Sequence, residues 1–332
     1  MTPAKLGRKV SLMANKAITF GFLLPTREIA MAQEAPDFRQ ILDLAERAEA
    51  LGFDSVWVGD SVLARPRMEA LTTLAAVAAR TKRVQLGTAV LLPVFRHPVV
   101  LANEVANLDL LSQGRLILGL GIASKNPPVE REFKACGVSF AHRIGIFEEG
   151  VTIMRRLWSE PEVTFKGRHF QLQGVRLGLR PLQKPGVPLW LAGGVDNALR
   201  RVLRLGDGWF PLPPSLQIFA KDWERLQALA HENGQDAQTL HRCVYTTLNI
   251  NDDVSLAEKE MRTFIEGYYG GPYEQLARRQ GLCAGTAARC VAWLNDFIAA
   301  GAQTIVLRFG CSDQLGQLER CVRDVLPQVR PS

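Results

Sequence analysis

The apolar positions of this chain fall into short runs that alternate with stretches of helical spacing. Ile18-Thr-Phe-Gly-Phe-Leu-Leu24 is an apolar run closed by Pro25 and predicts a first strand. From Asp37 to Leu51 the apolar residues stand at 38, 41, 42, 44, 45, 48 and 51, and Gly52 follows. That spacing predicts an amphipathic helix with a glycine stop. Asp54 to Gly59 reads as a second strand, and Arg67 to Arg80 as an apolar helix. Arg83 to Leu92 is the third strand, stopped by Pro93, and Pro98 suits the first turn of a helix reaching Leu111. Gly114 to Ile122 is the fourth. The rhythm then breaks over 123–186, where a helical pattern from Phe140 to Trp158 precedes a hairpin pattern around Lys166-Gly167. Leu189–Ala192, Asp207–Phe210, His241–Ile250 and Gln303–Phe309 complete eight strands. Helical patterns lie at 197–205, 216–233, 254–267, 287–300 and 315–326.

Short apolar strands alternating with helices predict a parallel sheet, and a count of eight favours a closed (β/α)8 TIM barrel over an open doubly wound sheet. The expectation is a single domain over 17–332, with 123–186 inserted after the fourth strand at the C-terminal mouth. Residues 1–16 are basic and are expected to be a disordered extension. Ligands of such barrels sit at the C-terminal strand ends. Attention therefore goes to Asp60-Ser61, Ala89–Pro93, Gly121–Lys125, Gly193–Asp196, Pro211 and Arg308–Gly310.

Composition narrows the class without naming a chemistry. Hydrophobic residues make up 47% of the 332 residues and charged residues 22%, as in ordinary globular proteins. Lys plus Arg is 40 against 33 for Asp plus Glu, a formal charge of +7. The cations are dispersed, which argues against nucleic acid and leaves room for a mild preference for anionic small molecules. No apolar stretch reaches membrane-spanning length. The six cysteines show no C-x-x-C pair, and they read as reduced thiols of a cytoplasmic protein.

One stretch carries the sharpest ligand signal. Leu189–Ala192 is bounded by Pro188 and by Gly193-Gly194, and Asp196 or Asn197 could cap the helix that follows. Two glycines between a buried strand and a helix N-terminus can bring backbone N–H groups to a phosphate. The alternative is a tight turn without a ligand. Asp60 and Ser61, at the end of the second strand, could orient and hydrogen-bond a polar ligand edge, or could simply cap a helix. His97 could give a proton near neutral pH, or could be a structural loop histidine. Arg143 and Glu148 read as an ion pair within the insertion. No acids or histidines cluster at the mouth, which argues against a metal. Its small residues (Ala89, Gly119, Gly121, Ala123, Ala192, Gly193, Gly194) suit a flat ligand that brings its own chemistry, although they could equally serve packing.

Several co-linear motifs between 18 and 310 resemble the luciferase-like superfamily of flavin-dependent oxidoreductases and monooxygenases. They are Ala48-Glu-Ala-Leu-Gly-Phe-Asp-Ser-Val-Trp-Val58, Leu86-Gly-Thr-Ala-Val-Leu91, Leu108–Gly121, Arg143 through Leu157-Trp158, Pro188-Leu-Trp-Leu-Ala-Gly-Gly194 and Gly206-Asp-Gly-Trp-Phe210. The resemblance implies a barrel that binds FMN or, in one branch, the deazaflavin coenzyme F420. It also implies that Ala192, Gly193, Gly194 and Val195 hold the cofactor phosphate. Ala89 and Val90 would lie against the ring, Gly121, Ile122, Ala123 and Ser124 on its other side, and Asp60 and Ser61 at the reacting edge. Two departures stand out. Sugar-phosphate dehydrogenases of the deazaflavin branch carry Asp-His where this chain has Asp60-Ser61, and glutamate where it has Ser124. A different subgroup described as deazaflavin-dependent resembles the Asp-Ser-x-x-x-Arg-Pro-Arg segment, Asp60–Arg67.

The reading that follows is a cytoplasmic monooxygenase using reduced FMN and O2 on a small organic substrate. Its electrons would come from NAD(P)H, with a separate flavin reductase and a homo-oligomer as candidate partners. The alternative is hydride transfer with deazaflavin. The competing class is a barrel that binds flavin without turnover.

Overall fold

A computed structural model describes residues 18–31 and 37–329; the expected N-terminal extension lies outside them. In chain order the strands are β1 (Thr19–Leu23), β2 (Ser55–Val58), β3 (Gln85–Leu91), β4 (Leu116–Leu120), β5 (Val163–Lys166), β6 (Gln171–Val175), β7 (Leu189–Leu191), β8 (Gly208–Trp209), β9 (His241–Ile250), β10 (Leu282–Gly285) and β11 (Thr304–Phe309). Strands β1, β2, β3, β4, β7, β8, β9 and β11 pair in parallel in that order, and β11 pairs back onto β1. The result is the closed eight-stranded barrel that the alternation predicted, with helices between the strands. The antiparallel pair β5–β6 is the hairpin of the insertion.

The barrel lumen is filled from its strands. Trp57 on β2 is fully buried; its ring lies 5.4 Å from that of Trp190 on β7 and 5.2 Å from that of Phe210 just after β8. Neighbouring strands make room for this aromatic plug with glycine. A Cβ on Gly21 would stand 2.3 Å from the Trp57 ring and one on Gly87 only 2.1 Å from it. Likewise a Cβ on Gly208 would stand 2.5 Å from Trp190, and one on Gly119 would stand 2.9 Å from Phe210. Gly119 therefore serves packing inside the barrel; it is not part of a ligand surface. With the lumen closed by indole and phenyl rings, open space remains only above the plug, at the C-terminal strand ends.

Four local expectations change. A helix, Pro127–Ala135, lies inside the insertion where no helix was expected. Its signal was present: Asn126 caps it by accepting from the Val129 N–H at 3.1 Å, and prolines occupy its first turn. The short strand β10 adds to the far end of β9, outside the barrel circuit. The Arg143–Glu148 ion pair does not form. Arg143 lies over the Phe140 ring, while Glu148 accepts from Arg201 at 3.0 Å and also pairs with Arg204 on the helix Asp196–Leu205. That arrangement ties the insertion to the helix behind Gly193-Gly194. Asp196 begins the helix without capping it, because its carboxylate faces Arg225 at 3.0 Å.

The plug gives a test by coupling. Gly87→Ala should cost about 1–3 kcal/mol of stability in chemical denaturation by overpacking Trp57. The same substitution should cost far less in a Trp57→Leu background. An equal cost in both backgrounds would contradict the packing described.

Candidate functional site

Above the plug a cavity of about 390 Å³ opens at the mouth. Leu23 ends β1 at its floor. Asp60, Arg65 and Arg67 come from the segment after β2, and Ala89, Val90 and Leu92 from the end of β3. Gly121 to Ser124 follow β4, Ala192 and Gly193 follow β7, and Phe210 to Leu212 follow β8. Tyr245 on β9 and Tyr268 and Tyr269 of the helix Val254–Tyr269 complete the wall. Nine of the thirteen site residues singled out in the sequence thus meet in one place: Asp60, Ala89, Val90, Gly121, Ile122, Ala123, Ser124, Ala192 and Gly193.

Local backbone geometry explains why these residues face inward. The Ala89–Val90 peptide is cis, and the β3–β4 register shifts between Thr88 and Leu91. Ala123 adopts φ +59°, a left-handed conformation uncommon outside glycine, where the chain leaves β4. Gly193 has φ +133°, and a Cβ there would stand 2.5 Å from that of Ala198, so only glycine fits this turn. The Trp209 indole N–H donates to the Gly193 carbonyl at 2.7 Å and fixes the peptide. Beyond it runs a helix of ten residues, Asp196–Leu205, whose first N–H groups have no acceptor within the helix.

The remaining predicted site residues stand elsewhere. Gly194 and Val195 lie just outside the cavity wall. A Cβ on Gly194 would meet the Asp222 carboxylate, whose acidity burial weakens despite Lys221. Val195 is 72% exposed as the residue before the helix. His97 does not line the cavity: its Nδ1 accepts from the Val99 N–H at 3.3 Å and its ring meets Phe170 edge-on. It caps the helix Pro98–Leu111, the structural alternative weighed above.

Asp60 does reach the cavity, but it is already engaged. Its carboxylate takes a two-pronged contact from Arg96, at 2.8 and 3.2 Å, and accepts from the Leu92 N–H at 3.0 Å. Burial disfavours the charge on Arg96, yet Asp60 and Glu69 outweigh it and the guanidinium is held more firmly charged than usual. Ser61 points away from the cavity. Its hydroxyl donates to Glu132 Oε1 at 2.8 Å and accepts from the Arg65 N–H at 2.9 Å. The same Glu132 oxygen also accepts from the backbone N–H groups of Val62, Leu63 and Ala64. Glu132 is 1% exposed, on the insertion helix that sequence patterning missed. One buried carboxylate thus pins the loop that presents Arg65 and Arg67.

Sequence reading named Arg308 and the Asp60–Arg67 segment, but it passed over the tyrosines and did not join them into one aromatic and basic wall. Arg67 donates to the Tyr268 hydroxyl at 3.2 Å, and Arg65 lies over the Tyr269 ring at 4.6 Å. Arg308, 1% exposed, donates to Thr247, Tyr269 and Gln280. Burial raises the Tyr245 phenol well above its usual pKa, and Arg308 opposes this only in part. The phenol therefore keeps its proton at neutral pH. No local motif joins these residues, because strands and loops far apart in the chain bring them together.

The geometry is that of a closed eight-stranded barrel with its cavity at the C-terminal mouth, beside a glycine turn at a helix start and small residues at the strand ends. Residues 18–304 match the family model described as luciferase-like monooxygenase, and the chain belongs to that family, whose members are oxidoreductases. It is 31% identical over 327 residues to an F420-dependent glucose-6-phosphate dehydrogenase of Amycolatopsis mediterranei (strain U-32), a match covering 88% of this chain and 95% of that one. A protein of the same name from Kineococcus radiotolerans is 29% identical, with 88% and 93% covered. Among solved structures, the monooxygenase RslO1 from Streptomyces bottropensis superposes with a TM-score of 0.81 at 26% identity, covering 94% of this chain and all of that one. An F420-dependent secondary alcohol dehydrogenase in complex with an F420-acetone adduct gives 0.79 at 22% identity, over 95% of this chain and 99% of the other. Among the described residues, no helix is long and apolar enough to cross a membrane.

The role of Glu132 can be measured apart from any activity. Glu132→Ala removes the acceptor of three backbone N–H groups and a hydroxyl, and should cost on the order of 2–3 kcal/mol. Amide hydrogen exchange at Val62, Leu63 and Ala64 should accelerate selectively. Unchanged exchange there would show that the loop is held by something else.

Proposed function

We propose that this protein is an F420-dependent oxidoreductase that transfers hydride between the deazaflavin and a small organic substrate. This replaces the FMN monooxygenase as the leading reading. The observation that carries it is that F420-dependent relatives match across 88% of the chain at 31% and 29% identity. The cavity fits the coenzyme in kind. Ala89, Val90 and Ala123 offer a flat seat of small side chains, and the Gly193 turn leaves no room for a Cβ beside the helix start. In this reading Gly193, Gly194 and the first N–H groups of the helix Asp196–Leu205 hold the phosphate. Bound there, the deazaflavin supplies a two-electron hydride donor or acceptor, and the protein supplies position and proton handling.

The glucose-6-phosphate reaction itself does not carry over. Where those dehydrogenases have Asp-His and a glutamate, this chain has Asp60-Ser61 and Ser124. Asp60 is bound by Arg96 and Ser61 by Glu132, so neither is free to move a proton. Of the three phenols in the wall, those of Tyr268 and Tyr269 are taken by Arg67 and Arg308, and Tyr245, whose phenol stays protonated at neutral pH, suits that task. A protonated acid favours carbonyl reduction: hydride to the carbon, the phenol proton to the oxygen, and solvent restoring the phenol. Neither a flavin reductase nor O2 enters that step.

Fluorescence titration tests the reading. The deazaflavin should bind at least ~10-fold more tightly than FMN, a difference of about 1.4 kcal/mol. Gly194→Asp should abolish binding of both by placing charge and bulk at the phosphate turn, next to Asp222. Tight FMN binding with O2-dependent substrate oxidation would restore the monooxygenase.

A further inference from the structure

The side of the mouth away from the Gly193 turn carries more positive charge than the protein neutralises. Arg65 and Arg67 line the cavity, Arg308 lies buried beside them, and Arg27 donates to the Tyr268 carbonyl at 2.8 Å from behind. Among the described residues no carboxylate comes within ion-pairing distance of any of these four arginines. Glu28 is the acid whose field Arg27, Arg67 and Arg308 share; burial weakens its acidity, against the pull of Arg308 and Arg67, and it does not line the cavity. Arg96, after the adjacent strand β3, shows the contrast, with Asp60 and Glu69 both paired to it.

These cations are also held in place. The Arg67 guanidinium occupies the space a Cβ on Gly59 would need, its Nε donates to the Arg65 carbonyl at 3.2 Å, and its Nη2 reaches Tyr268. Arg65 is stacked on Tyr269. Arg308 spends its donors on neutral oxygens of Thr247, Tyr269 and Gln280. Positioned, partly desolvated guanidinium groups without a counter-charge favour an incoming anion, and their fork matches carboxylate or phosphate.

We infer that Arg65 and Arg67 form a subsite for a carboxylate or phosphate group on the substrate. The inference rests on the hydride-transfer reading only in assigning the anion to the substrate. The Gly193 turn, where the coenzyme phosphate would be held, lies three strands around the barrel from Arg65 and Arg67, so the two anion seats are separate.

Inorganic phosphate serves as the probe, titrated into the full chain at constant ionic strength and followed by 31P NMR. Phosphate should bind to the protein saturated with deazaflavin, with a dissociation constant on the order of millimolar. Arg65→Gln and Arg67→Gln should each weaken it at least ~10-fold, while leaving deazaflavin affinity within about twofold. Arg65→Gln guards against Arg67→Gln failing to fold. Phosphate affinity unchanged in both variants would overturn the subsite. Phosphate binding that vanishes on loading the coenzyme, with deazaflavin affinity lost in Arg65→Gln, would overturn the assignment to substrate and give the arginines to the coenzyme tail. A protein that binds no deazaflavin but loses phosphate in Arg65→Gln would retain the subsite and discard only the cofactor.

Discussion

The filling of the barrel lumen by Trp57 is the constraint on which the rest of the molecule depends. An indole this large fits among parallel strands only because β1 and β3 present glycine at Gly21 and Gly87, and Trp190 and Phe210 need the same concession from Gly208 and Gly119. The plug does two things at once. It buries large aromatic area where eight short strands would otherwise enclose a void. It also closes the lumen, so that within the barrel open space is left at the mouth, where backbone N–H groups, helix starts and loops converge.

The mouth divides by function along its circumference. On the β7 side the chain offers backbone: a glycine turn, a carbonyl fixed by Trp209 and the start of a helix anchored through Arg201 to Glu148 of the insertion. On the β2 side it offers charge, carried by Arg65 and Arg67 on a loop pinned by Glu132. The insertion supplies an anchoring carboxylate to both sides, which gives the break in the strand–helix rhythm a structural purpose. Asp60, flanked by Arg96, holds the end of β3 in place and is thereby withdrawn from proton transfer. The phenols of Tyr245, Tyr268 and Tyr269 remain in the wall with protons to give, those of Tyr268 and Tyr269 already accepting from Arg67 and Arg308.

Much of this was legible in the sequence, for a physical reason. Strand and helix periodicities are local, so all eight barrel strands could be read from apolar runs and their stops, as could the hairpin of the insertion. The Gly193-Gly194 turn was legible because a glycine pair between strand and helix is a local requirement of backbone geometry. Side-chain partnerships were not. Ser61 looked free because Glu132, 71 residues on, is brought to it only by the fold. Arg143 and Glu148 stand five residues apart on one helix, outside the three- or four-residue spacing at which side chains meet, and Glu148 pairs with Arg201 and Arg204 instead. Arg65, Arg67, Tyr245, Tyr268 and Arg308 form one wall from four separate segments, and no spacing rule links them. The choice between FMN and deazaflavin came from the relatives, since both coenzymes ask the same backbone for a phosphate seat.

A crystal structure of the protein soaked with F420 tests the central claim most directly. The account predicts the coenzyme phosphate on the N–H groups of Gly193 and Gly194, the ring against Ala89 and Val90, and Tyr245 facing the reacting carbon. Density for the coenzyme elsewhere, or a mouth that stays empty at saturating coenzyme, would contradict it.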